Sequence, residues 1–127
     1  MKVMLIRCLA IGAAGFFGSI ARYMVGLIFG RLPILFPLGT LFINISGSLF
    51  LGWFMAHIST RNVSDNLRLA VGVGFVGAYT TFSTFMYESN KLDVDYGARL
   101  QAITNILGSL ILGILAVKLG ILLARWI

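Results

Sequence analysis

Four stretches of this 127-residue chain are long and apolar enough to cross a bilayer, and they leave little chain for anything else. A helix needs about 20 apolar residues to span a hydrocarbon layer of about 30 Å. The runs over residues 4–29, 38–58, 67–89 and 98–125 meet that length. Lipid offers the backbone no hydrogen-bond partner, so spans of this kind are helices that satisfy themselves internally. The expected fold class is therefore an all-α membrane protein, with one four-helix transmembrane domain over residues 1–127. Arg31-Leu32-Pro33 and Pro37-Leu38-Gly39 mark the first joint, Ser59 to Asn66 the second, and Lys91 to Tyr96 the third. Ser64-Asp65-Asn66 has the form of a helix start. Lys2 and Arg7 before the first run resemble the opening of a signal peptide. The apolar stretch nevertheless resumes after Arg22, and Ala13-Ala14-Gly15 lies in mid-span, which argues against cleavage.

Charge separates the function classes. Only 11% of residues are charged, against roughly a quarter in soluble domains. The net charge of +6 comes from basic residues standing singly near segment ends. That pattern suits headgroup anchoring better than nucleic-acid binding. The single cysteine, Cys8, rules out an internal disulfide, and no metal cluster or base–nucleophile pair suggests an enzyme. His57 ends an apolar run and reads as interfacial. Four spans put both termini on one side, with Lys2, Arg7, Arg61, Arg68 and Arg125 there and Lys118 near them. Arg31, Lys91 and Arg99 fall on the other side. The asymmetry is small for a positive-inside decision. Either one orientation is weakly marked, or the chain inserts both ways and pairs antiparallel about a two-fold axis in the membrane plane.

Polar groups at membrane depth need a partner or a purpose. Arg22 either snorkels to the interface or makes a positive vestibule for anions. Asn44 either ties two helices together or donates its amide to a passing anion. Gly12, Gly15 and Gly18 in the first span read as packing residues, as do Gly47 and Ser48 in the second and Gly108 and Ser109 in the fourth. The third span differs. Residues 72–85 read Gly-Val-Gly-Phe-Val-Gly-Ala-Tyr-Thr-Thr-Phe-Ser-Thr-Phe, with three glycines followed by four hydroxyl residues. A helix this weak is expected to break near its middle. The freed carbonyls and amides survive only if buried in protein or around an ion. Phe82 and Phe85 carry partial positive charge at their ring edges. They are either packing residues or a surface that an anion can meet.

Gly18-Ser19-Ile20-Ala21-Arg22-Tyr23, Gly39-Thr40-Leu41-Phe42-Ile43-Asn44 and Gly77-Ala78-Tyr79-Thr80-Thr81-Phe82-Ser83-Thr84-Phe85, followed by Glu88, resemble the Fluc (CrcB) fluoride channels. The resemblance runs over nearly the whole chain. It implies a dual-topology antiparallel homodimer in the bacterial inner membrane, with two fluoride pores that both subunits build. Under it, Asn44 hydrogen-bonds fluoride and Phe82 and Phe85 supply ring edges. Ser83, Thr84 and Ser109 belong to a polar track, and Arg22 lines the vestibule. The backbone carbonyls of Gly77 and Thr80, from both chains, hold one structural Na⁺. Ala78 and Tyr79 depart from the family's usual glycine and aliphatic residue. Asn105 stands where relatives vary, so the resemblance gives it no firm role.

The implied activity is passive, fluoride-selective conduction that relieves fluoride toxicity, with no nucleic-acid partner. The alternative is a small multidrug-resistance-like transporter, also four-spanned and often dual in topology. That class uses a Glu within its first helix, and this chain has none there. A purely structural assembly subunit is a further alternative.

Overall fold

The structure, a computed structural model, describes residues 1–126. Helix α1 (Lys2–Phe29) and helix α2 (Leu38–Ser59) form the first two spans. The third span is assembled from α3 (Asp65–Leu69), a π-helical stretch (Ala70–Val76), α4 (Gly77–Tyr79) and α5 (Phe82–Val94). Helix α6 (Arg99–Leu123) is the fourth. Each of the four spans is long and apolar enough to cross a membrane.

Local chemistry explains the boundaries. Ser64 caps α3, its side chain accepting from the Leu67 amide at 3.4 Å, and Asp65 sits in the positive first turn. The chain turns between α5 and α6 at Gly97, with φ +62, a conformation that glycine adopts without Cβ strain. The glycines of residues 72–77 coincide with the π-helical stretch and α4. Helical geometry is lost at Thr80 (ψ 159) and Thr81 (φ −148, ψ 120), and the helix resumes at Phe82. The third span is therefore bent at a two-residue interruption. Its helix continues to Val94 and carries Glu88, Lys91 and Asp93 in its last turns.

Packing divides the molecule at that interruption. The π-helical stretch and α4 lie against α1, whereas α5 lies against α6, and α2 and α6 form the most extensive pair. Two helix crossings depend on missing side chains. A Cβ on Gly18 would overlap the Phe75 carbonyl, joining α1 to the third span, and one on Gly120 would overlap the Leu49 carbonyl, joining α6 to α2. Small residues substitute for hydrophobic driving force where lipid is the solvent. Gly12 and Gly108 do not act this way within the chain, since a Cβ at either meets nothing within 4 Å. The buried apolar set is small: Ile43, Phe54, Ile58, Val76, Phe85, Leu92, Ala102 and Ala116. Most large apolar side chains face outward, as lipid-facing residues do.

Candidate ion pathway

The interruption of the third span removes helical hydrogen bonds, and α2 replaces them. In a continued helix the Thr81 amide would donate to the Gly77 carbonyl. It donates instead to Asn44 Oδ1 at 2.8 Å, and Asn44 Nδ2 donates back to the Thr81 carbonyl at 3.0 Å. One side-chain amide thus satisfies both backbone groups of a residue that is only 8% exposed. The second N–H of Asn44 takes no part in this clamp. Sequence reasoning left Asn44 open between a tie and an anion donor, and the geometry makes it a tie with one donor to spare.

Further bonds hold the same point. The Thr81 hydroxyl accepts from the Thr84 amide at 3.3 Å and donates to Thr84 Oγ1 at 3.0 Å, capping α5. It also lies 3.5 Å from Ser83 Oγ. The Thr80 hydroxyl donates to the Val76 carbonyl at 2.9 Å, closing α4. Tyr79 OH and Ser46 Oγ share a hydrogen bond of 2.9 Å, and the Tyr79 ring stacks on Phe75. Gly47 makes room for the Thr80 and Tyr79 side chains against α2. Arg22, half-buried on α1, turns inward, and its guanidinium donates to the Thr80 carbonyl over 3.4 Å.

The two phenylalanines have different surroundings. Phe82 is 73% exposed, whereas Phe85 is 5% exposed. Their ring centroids lie 6.0 Å apart with planes inclined at 56°. Phe82 borders a cavity of about 250 Å³ with Asn44, Gly47, Ser48, Thr80 and Thr81. Ser83 and Thr84 are exposed beside it. The structure thus gathers Arg22, Asn44, Thr80, Phe82, Ser83 and Thr84 around the interruption, with Gly77 exposed one turn before it. Ser109 stands apart on α6, where its hydroxyl donates to Asn105 Oδ1 at 3.5 Å. A second cavity, of about 350 Å³, opens near the α1–α2 connection and is bordered by Thr40, Glu88, Lys91 and Tyr96.

The residues at the interruption suit a hard cation in kind. Carbonyl oxygens match hard ions, and the Thr81 amide no longer occupies the Gly77 carbonyl. Thr80 O retains a lone pair beside its long bond to Arg22. No group of three or more His, Cys, Asp or Glu side chains able to hold a metal occurs among the described residues. A cation here would be held by backbone carbonyls, those of Gly77 and Thr80 among them.

Sequence reasoning missed two partners. Thr81 reads in the sequence, with Ser83 and Thr84, as a hydroxyl for a dehydrated ion, and its backbone pairing with the distant Asn44 was not visible. Ser89 was passed over although it sits one turn after Phe85. It donates to the Phe85 carbonyl at 2.8 Å and accepts from Asn105 Nδ2 at 2.8 Å.

Four membrane-crossing helices, one bent at a hydrogen-bonded polar centre, define a multi-pass membrane protein whose polar site lies inside a span. The family described as "CrcB-like protein, Camphor Resistance (CrcB)" matches residues 9–121. A protein of Chlorobium chlorochromatii named "Fluoride-specific ion channel FluC" is 41% identical over 119 residues, covering 93% of this chain and 92% of the relative. One of the same name from Synechococcus sp. is 45% identical over 118 residues, 91% of this chain and 88% of the relative. Another, from Campylobacter lari, is 39% identical, with 92% and 96% covered. The chain belongs to the CrcB family. The relatives are named as ion channels and not as enzymes.

Proposed function

We propose that this protein is a passive, fluoride-selective channel of the bacterial inner membrane that lets cytoplasmic fluoride escape. Hydrogen fluoride enters cells as a weak acid and dissociates, and the channel gives the trapped anion a way out. Family membership supports this reading, and one structural observation carries it to the residues. Phe82, a large aromatic ring, stands uncovered beside the exposed Ser83 and Thr84 and the half-buried Asn44. Hydroxyls and an amide left facing hydrocarbon would be costly. A second copy of the chain, packed antiparallel, would cover the patch and turn it into an enclosed path.

Fluoride is small and strongly hydrated, so a pore must replace its water with good donors. The spare N–H of Asn44, the hydroxyls of Ser83 and Thr84, and the ring edges of Phe82 and Phe85 are neutral donors or positive edges; Ser109 would join them only by turning its hydroxyl away from Asn105. None carries a full charge that would hold the ion too tightly to leave. Arg22, whose guanidinium donates to the Thr80 carbonyl, would raise the local anion concentration as part of the vestibule. The Gly77 and Thr80 carbonyls of two copies would together hold one Na⁺, which would lock the two interruptions to each other. The drug-transporter alternative gains nothing from relatives that are named as ion channels.

Purified protein in liposomes tests the proposal. Fluoride efflux should be fast and chloride efflux negligible. Vesicles impermeable to fluoride, or equally leaky to chloride, would overturn it.

A further inference from the structure

The second half of the third span depends largely on one neighbour. Helix α5 packs mainly on α6 and only slightly on α2. Its buried stripe is Phe85, Ser89 and Leu92, four and three residues apart on one helical face. The middle member is polar, and α6 meets it with Asn105. Ser89 is 2% exposed and Asn105 is 1% exposed.

The bonds between them all point one way. Ser109 Oγ donates to Asn105 Oδ1, Asn105 Nδ2 donates to Ser89 Oγ, and Ser89 Oγ donates to the Phe85 carbonyl. Bonds linked head to tail polarise and strengthen one another. Apolar contacts alone give two helices in lipid little preference for one register over another. A buried polar pair supplies that preference, because every other register leaves its groups unsatisfied.

We propose that Asn105 is a positioning residue for the Phe85 ring. Acting through Ser89, it pins α5 in one register on α6 and so fixes where the ring edge stands in the ion path. The inference rests on the reading of Phe85 as a pore ring. It gives a role to an asparagine that is buried and borders neither cavity described above.

The test uses the full chain in liposomes. Asn105→Leu keeps the branched shape and removes the donor, Ser89→Ala removes the hydroxyl, and Ser89→Thr keeps it. Asn105→Leu and Ser89→Ala should elute as the wild type does, yet lose roughly tenfold in fluoride efflux, the scale of one lost buried hydrogen bond. Their preference for fluoride over chloride should also fall, which loss of stability alone would not produce. Ser89→Thr should behave as wild type. The double variant should be no worse than the poorer single, because both changes cut the same chain of bonds. If Asn105→Leu does not fold, Ser89→Ala and Ser89→Thr decide the matter.

Wild-type rate and ion preference in Ser89→Ala or in folded Asn105→Leu, with Phe85→Ile non-conducting, would overturn the positioning role and leave the pore reading standing. Wild-type conduction by Phe85→Ile would show that the pore reading itself fails, and the positioning role would fall with it.

Discussion

Replacing Asn44 separates two functions that one side chain combines. The Asn44 amide makes two hydrogen bonds to the backbone of Thr81, at 2.8 and 3.0 Å. Asn44→Leu leaves a buried N–H and a buried C=O without partners. Each costs about 1 to 3 kcal/mol, so the loss is about 2 to 6 kcal/mol in all. Since every 1.4 kcal/mol is about a tenfold change in an equilibrium, hydrogen exchange at the Thr81 amide should quicken by well over tenfold. The detergent-solubilised protein should also unfold at lower temperature. Asn44→Asp differs: its carboxylate still accepts from the Thr81 amide but cannot donate to the Thr81 carbonyl. It should lose about half as much stability as Asn44→Leu and yet block fluoride completely, because a negative charge now faces the path. Exchange mass spectrometry and fluoride-electrode efflux read the two effects separately. Unchanged Thr81 exchange in Asn44→Leu would refute the clamp. Undiminished efflux through Asn44→Asp would refute the contact with the anion.

Other substitutions test the remaining parts. Phe82→Ile and Phe85→Ile should each abolish or severely reduce fluoride efflux. Only Phe85→Ile should also lower the stability of the single chain, because Phe85 is buried and Phe82 is not; wild-type flux from both would return the rings to packing. Single cysteines placed in the α1–α2 and α2–α3 connections of a Cys8→Ser background should label from both faces of the membrane. Labelling from one face only would end the antiparallel proposal. Gly120→Val should cost about 1 to 3 kcal/mol by overpacking, since its side chain would meet the Leu49 backbone; unchanged thermal stability would refute that tight crossing of α2 and α6.

Hydropathy made the four spans legible because a bilayer imposes a length that composition must satisfy. Residues 72–85 announced a weak helix through their glycines and hydroxyls, and the family's motifs named most of the residues around Thr80 and Thr81. The particular pairings were not legible. Asn44 reaches Thr81 across 37 residues and Asn105 reaches Ser89 across 16, and nothing in local spacing says which way an amide turns. Arg22 looked like a residue bound for the interface or the vestibule, but the close packing of α1 on the third span brings it within reach of the Thr80 carbonyl. Glycine counts also overstated packing, because a glycine serves a crossing only where another helix passes: Gly18 and Gly120 qualify, whereas Gly12 and Gly108 face open space within the chain.

The divided loyalty of the third span has a bearing on biosynthesis. Its first half lies on α1, which is made first, but its second half lies on α6, which is made last. Newly inserted α5 therefore waits in the membrane with the Ser89 hydroxyl and one face of Phe85 bare until the final helix arrives. A nascent chain stopped before residue 99 would hold this half-finished surface open, the stage at which chaperones and quality-control proteases of the membrane would find it.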